Sequence, residues 1–512
     1  MNNFENLIPL PSSITPMKGI TFVTPNGITP LVYAPSFFYD ELVFVCHHLS
    51  EAGFKCAPAP KDTDPDNLPP NCVIQVEEEP DLPMAEMYQL RVTSSFIQIR
   101  ASDSSGAFYA FETLRQLALS SRKGRLPGIS IIDNPATSWR GLMLDTSRHF
   151  FPVSFIKKIL DTMAFHKLNR FHWHLTDDQG WRLYIPSLPE LTEKGGWRHD
   201  TKTTWEDVKI GGFYTEEDIT EVVKYARERH IIVIPEIDVP GHASAILTAY
   251  PELGCTGGPY EVEDRFGIFK EVLCAGNDRV FDVLKTIFEQ VCKVFPGPYI
   301  HIGGDECPKE RWDNCPKCKK RMKDEHIASS TQLQAWFTSK VANIVQSLGK
   351  TPIGWDEVLD GTEVFGLPEN MIVQSWQSSE RGVIAAKRGL QTIMSPMTDG
   401  CYLDYSPIND PAEPGRLGLC TVKNSYDYTP IPSSFDSKMS EKVLGGQANF
   451  WTEGTPYSRV VEYLLFPRLC AISESLWLPS YQKDFASFAK RLPAHKKRLK
   501  KLDILFYDGP LE

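Results

Sequence analysis

Asp305 and Glu306 are adjacent carboxylates behind a short β-favouring run, Tyr299-Ile300-His301-Ile302, and two glycines, Gly303 and Gly304. Neighbouring side chains on a regular strand point to opposite faces. The two carboxyls can therefore share a pocket only where the chain turns, and glycines make such a turn easy. Paired carboxyls suit acid chemistry. An ionised Asp305 would favour the protonated form of Glu306 and make it the better proton donor. The bland alternative for any Asp-Glu pair is a solvated loop start. The surrounding pattern decides against it here.

That pattern is strand, loop, helix, repeated from Trp139 onward. Candidate strands begin near Gly141, Phe171, Ile231, Tyr299, Thr351, Met371, Gln391 and Val443. Most are short and apolar, as strands buried on both faces should be. Helical spacing fills 153–166, 215–230, 280–295, 331–348 and 458–476. Eight such units predict a (β/α)8 barrel over residues 136–480, longer than the typical ~250 residues and so with room for long loops. Asp145, Asp177, Asp238, Asp305, Glu306, Asp356, Glu357 and the tryptophans Trp355, Trp376 and Trp451 all fall at the C-terminal ends of these strands. That is the barrel face where active sites form.

Residues 1–135 read as a small α+β domain. Strands at 90–93 and 96–99 flank a polar turn, and a helical pattern runs from Ser104 to Leu119, weakened by Gly106. Nothing in this segment looks catalytic. Residues 481–512 are expected to form a helical tail packed on the barrel, with the basic run 490–501 as its solvated face.

The fold class is thus α/β. A net charge of −11 with dispersed basic residues argues against a nucleic-acid partner and favours neutral or small ligands. No apolar run reaches the length of a membrane span. Met1 to Asn6 lacks a cationic start and an apolar core, so no leader is visible. The expectation is a cytoplasmic protein, or a mature form whose leader has been removed. Twelve cysteines are scattered through the chain. Cys255, Cys274, Cys307, Cys315 and Cys318 could supply the four ligands of a zinc knuckle only if distant loops meet. Reduced structural thiols are the default, with a disulfide or a structural metal as alternatives.

Four segments together resemble glycoside hydrolase family 20, the β-N-acetylhexosaminidases. They are Trp139 to His149, His172-Trp173-His174-Leu175-Thr176-Asp177-Asp178-Gln179, Asp238-Val239-Pro240-Gly241-His242, and His301 to Glu306. The resemblance implies removal of a terminal β-linked N-acetylglucosamine or N-acetylgalactosamine from a glycan. In this family the substrate's own 2-acetamido oxygen attacks C1, giving an oxazolinium that water opens with retention. Glu306 would be the acid and then the base, and Asp305 would orient the acetamido group. Tyr402 resembles the tyrosine that bonds the acetamido carbonyl, and Asp404 a carboxylate that holds a sugar hydroxyl. Arg140 and Glu453 look like ligands for the hydroxyls remote from the cleaved bond. Trp355, Trp376 and Trp451 look like pocket walls, and Asp177 and His242 like a relay behind the acid. His149, His172 and His174 read as structural, and neither cofactor nor catalytic metal is called for.

Three other readings compete. A catalytically inactive carbohydrate-binding barrel would not need Asp305, Glu306 and Tyr402 together. A metal-dependent hydrolase would use His172, His174 and Asp177. A disaccharide-releasing enzyme of the same family would need a pocket that continues past the first sugar.

Overall fold

The computed structural model describes residues 6–24, 27–122, 124–200, 208–363, 365–433 and 435–512. Met1 to Glu5, on which the expectation of no leader largely rests, lie outside them. Eight parallel strands close into a barrel in chain order: β1 Trp139–Asp145, β2 Arg170–His174, β3 Ile232–Glu236, β4 Tyr299–His301, β5 Thr351–Trp355, β6 Ile372–Ser375, β7 Thr392–Met394 and β8 Val443–Phe450. Their side chains are mostly buried, and every residue of β1 is. Burial on both faces explains why these strands read as apolar runs without alternation. The flanking helices bury one stripe each, and Asp278–Val294 buries Val280, Val283, Leu284, Ile287, Phe288, Val291 and Val294.

A mixed seven-stranded sheet precedes the barrel, its last strand ending at Asp133. Helix α1 (Ser104–Ser120) packs on it, capped by the Asp103 carboxylate accepting from the Gly106 N–H at 2.9 Å. Gly106 does not weaken this helix. A Cβ there would stand 2.5 Å from the Met87 carbonyl oxygen, so glycine is what lets the helix start lie against the residue that precedes the strand Tyr88–Val92.

Two expectations need correction. The pattern at 458–476 is two helices, Ser458–Leu465 and Arg468–Trp477, because Pro467 has no N–H to donate and its ring crowds the preceding turn. The terminal helix α2 (Phe485–Lys501) is not packed on the barrel alone, nor is its basic run simply solvated. Arg491 makes two bonds to Glu474 and one to the Leu7 carbonyl. Arg498 bonds Gln116 and Ser120 of α1 and the Asn6 carbonyl. The helix therefore ties the N-terminal domain to the barrel. Among the described residues no helix is long and apolar enough to cross a membrane.

Candidate active site

The chain turns just past β4. Gly303 and Gly304 take φ +67° and +103°. A Cβ on Gly303 would stand 1.6 Å from Oδ1 of Asp238, and the Gly304 N–H donates to that same oxygen at 3.1 Å. The turn brings Asp305 and Glu306 to one pocket, as their spacing behind two glycines predicts. Glu306 itself lies in the left-handed region at φ +40°, as does His242 at +49°. Such backbone costs an L-residue about 1–2 kcal/mol, and here it falls on two residues that face each other.

His242 Nε2 lies 3.8 Å from Oδ2 of Asp305 and 3.6 Å from Oε2 of Glu306. On its other side Nδ1 donates between Asp177 and Asp178, each at 3.1 Å. Arg148 closes the chain, its Nη2 2.8 Å from Asp177. Burial alone would lower His242, but Asp177, Asp178 and Glu306 raise it well above the ordinary histidine value. Burial would likewise raise Asp177, yet Arg148 and His242 hold it well below the carboxylate range.

The carboxyl pair is split, but in the opposite sense to the one expected from sequence. The close approach of the His242 imidazolium lowers Glu306 despite its partial burial. Asp305 is raised well above the usual range, by burial first and then by Asp238, against the pull of His242. The protein's own groups thus make Asp305 the more basic carboxyl of the two.

Three indoles wall the pocket. Trp355 ends β5, Trp376 follows β6 and Trp451 follows β8. Trp355 Nε1 donates to Glu236 at 2.8 Å and Trp376 Nε1 to Glu357 at 2.7 Å, which fixes both rings. Tyr402 lies on the excursion between β7 and β8, held beside Asn449 by bonds from Leu403 N–H to the Asn449 carbonyl and from Asn449 N–H to the Cys401 carbonyl. Asp404 and Glu453 converge on Arg416, whose Nε stands 2.9 Å from Asp404. Burial pushes Asp404 up to about 7 even with Arg416 beside it. The cavity among these residues is small, about 60 Å³. Larger hollows lie elsewhere, one of about 640 Å³ where α1 meets the C-terminal segment, without convergent indoles.

Arg140 does not belong to this site. It is the second residue of β1, at the opposite end of the barrel, and fully buried. Its guanidinium bonds Glu86 at 2.8 Å, Tyr109, and the Thr137 and Lys167 carbonyls, and it lies over Trp477. It joins the two domains. The arginines in the pocket are Arg416 and Arg148, the latter three residues beyond β1 and 4.8 Å over the Trp451 ring. Arg148, Arg416, Asp178 and Glu357 were not singled out for roles from sequence. Arg148 and Asp178 stand in loops and Arg416 opens the short strand Arg416–Leu419, where no periodicity gives side-chain direction.

His172, His174 and Asp177 do not converge as one metal site. Glu236 instead gathers His172 at 2.9 Å, His301 at 3.0 Å and His174, beneath Trp355, while Asp177 meets only His174 of the two, at 3.1 Å, and otherwise bonds His242 and Arg148. His149 is held by the Thr452 carbonyl.

Buried polar atoms are normally paired. Oδ1 of Asp305, Oδ1 of Asp404 and Oε2 of Glu453 are buried acceptors with no hydrogen-bond partner among the described residues. With the indoles, they describe a site for something of sugar size carrying several donors.

Comparison with known proteins agrees. Residues 138–480 match the family described as Glycosyl hydrolase family 20, catalytic domain, and residues 5–134 match Glycosyl hydrolase family 20, domain 2. A beta-hexosaminidase of Porphyromonas gingivalis is 38% identical over 497 residues, which is 95% of this chain but 62% of that protein. One of Akkermansia muciniphila is 33% identical over 83% of this chain and 86% of its own length. The chain thus spans less than two thirds of the first of these relatives. Among solved structures, the GH20 exo β-N-acetylglucosaminidase from Vibrio harveyi in complex with N-acetylglucosamine aligns with a TM-score of 0.88 at 29% identity, over 99% of this chain and 78% of that one. The GH20 β-N-acetylhexosaminidase from Streptomyces coelicolor aligns at 0.84 and 29% identity, over 99% and 98%. Matched in both its domains, the chain belongs to glycosyl hydrolase family 20.

Proposed function

We propose that this chain is an exo-acting, retaining β-N-acetylhexosaminidase that uses the substrate's acetamido group as nucleophile. The observation that carries this reading is the unpartnered Oδ1 of Asp305, buried beside Glu306 and walled by tryptophan. It is an acceptor placed for an N–H. A substrate acetamido N–H bonding there favours the Asp305 carboxylate. The negative charge that Asp305 then carries raises the proton affinity of Glu306, 3.6 Å from His242, so that Glu306 holds a proton for the leaving oxygen. Substrate binding thereby reverses the split that the protein alone imposes.

Tyr402 would hold the acetamido carbonyl oxygen near C1, which converts attack into a positioned, unimolecular step. The indoles face the apolar sides of the ring and the acetyl methyl and exclude water. Asp404 and Glu453, with Arg148 and Arg416 beside them, suit the remaining hydroxyls. The small volume and the Arg416 ion pairs across the far wall favour one sugar over two, and hence single-residue release over disaccharide release.

The test is turnover of p-nitrophenyl 2-acetamido-2-deoxy-β-glucoside against the plain β-glucoside. A site built to bond a group rejects the analogue lacking it by about 10⁴-fold. Comparable kcat/KM on the two would overturn the proposal.

A further inference from the structure

Four cysteines that the sequence scatters over three segments meet on one side of the barrel top. Cys255 lies in the loop after β3, Cys274 just before the helix Asp278–Val294, and Cys315 and Cys318 bracket the start of the helix Pro316–Asp324. Their sulfurs all lie within 4.8 Å of one another. Cys255 and Cys318 stand 3.8 Å apart, Cys274 and Cys315 3.8 Å, and Cys274 and Cys318 3.6 Å. All four are free thiols. A disulfide would bring sulfurs to about 2.05 Å. Four thiolates at about 2.3 Å around one tetrahedral zinc ion stand about 3.8 Å from each other. The observed separations fit the second arrangement.

We infer that Cys255, Cys274, Cys315 and Cys318 hold a structural Zn²⁺ that pins the loop after β3 to the loop after β4. The ion would displace four thiol protons to solvent and leave a tetrathiolate of net charge −2. Lys317, Lys319 and Lys320 stand beside it in sequence, and the helix N-terminus at Cys315 favours anionic sulfur. Three of the ligands are almost fully buried, with Cys274 and Cys318 at 0% and Cys315 at 4% exposure. A closed four-cysteine shell leaves no open position, which marks a structural rather than a catalytic site. The segments are built to approach. A Cβ on Gly276 would stand 2.2 Å from the Lys317 carbonyl carbon. A second buried group, His166, Cys470 and His495, contrasts with this one, since its two imidazoles hydrogen-bond each other at 2.8 Å.

The clamp would act where it matters. Leu273 N–H donates to the Pro240 carbonyl two residues before His242, and Trp312 Nε1 donates to the Leu273 carbonyl at 2.8 Å. One metal would thus fix, through Leu273, the loop carrying His242 against the loop carrying Asp305 and Glu306.

Elemental analysis of the purified full chain tests this. About one zinc per chain is expected, lost in the Cys274→Ser/Cys318→Ser double variant, with Tm lowered by chelation and restored by zinc. Should that variant fail to fold, wild type reconstituted with Co²⁺ decides. The absorption of a tetrahedral thiolate site, with intense sulfur-to-cobalt charge transfer, is expected. Failure of the reduced protein to take up either metal would overturn the inference. So would Cys255–Cys318 and Cys274–Cys315 disulfides in protein isolated without air, or stoichiometric iron in place of zinc.

Discussion

His242 stands 3.6 Å from Glu306 through the ring nitrogen opposite the one that bonds Asp177 and Asp178. His242 therefore carries its charge to Glu306 and lowers that carboxyl. Replacing His242 by Gln removes that charge, so the Glu306 pKa rises. An opposite charge at this range is worth about 1–3 units. The limb of the kcat/KM–pH profile that follows loss of the Glu306 proton should move to higher pH by about one unit or more. An unmoved limb would separate His242 from Glu306.

Arg148 and Arg140 should part in their effects. Arg148→Lys keeps the charge but loses the planar fork that joins Asp177, Asp145 and Gln179. Misplacement of a supporting group costs about 10²-fold in rate, and kcat/KM should fall by that order. Arg140→Met should leave KM within about twofold but destabilise the fold by about 3 kcal/mol, since Glu86 loses a buried partner. Denaturant melts and steady-state kinetics on both variants check this. Raised KM in Arg140→Met with an unchanged melt would restore Arg140 to the sugar site.

Asp305→Ala and Tyr402→Phe should be coupled. Both residues are proposed to hold one acetamido group, so loss of either already releases the nucleophilic oxygen. The second loss then costs less than it does in wild type. A double-mutant cycle on kcat/KM measures the coupling. Additivity within about 0.5 kcal/mol would mean that Tyr402 acts on some other group.

Glu357 predicts a pH effect on stability. Burial first, then Asp305 and Asp356, push its carboxyl up to about 8. The folded protein holds a proton there that the unfolded chain releases above its ordinary pKa. Stability from this group is therefore full at low pH and is lost as pH rises from about 4.5 to about 8. Glu357→Gln keeps a neutral side chain throughout. Its stability relative to wild type should grow by about 2–3 kcal/mol between pH 6 and pH 9. A constant difference across that range would show that Glu357 titrates normally.

The barrel was legible because its strands are short apolar runs at regular spacing, and because polar residues collect at one end of them. The N-terminal sheet was legible only in part, in the strands Tyr88–Val92 and Ile97–Ala101 expected at 90–93 and 96–99. Its long first strand, Ser13–Val23, carries Pro16 and Gly19, is bulged between Pro16 and Thr21, and is largely exposed, so it shows no clean alternation. The resemblance points to Arg140, but the second residue of β1 sits at the N-terminal end of the barrel, away from the pocket. Arg148 stood within the same motif, but three residues into a loop its direction depends on Asp145 and Asp177, which only the fold brings near. Arg416 lies in the excursion between Met394 and Val443, where no pattern fixes register. The order of the two carboxyl pKa values failed for a similar reason. Adjacency in sequence revealed the pair, whereas the burial of Asp305 against Asp238 and the charge on His242 are contacts between separate loops.

On the proposed mechanism the nucleophile belongs to the substrate. The most direct measurement is kcat/KM for a series of p-nitrophenyl glycosides in which the N-acetyl group is replaced by its mono-, di- and trifluoro forms. Fluorine withdraws electrons from the carbonyl oxygen while changing its size little. If that oxygen attacks C1, kcat/KM should fall steeply at each step. A rate that does not depend on fluorination would place the nucleophile on the protein and contradict the account.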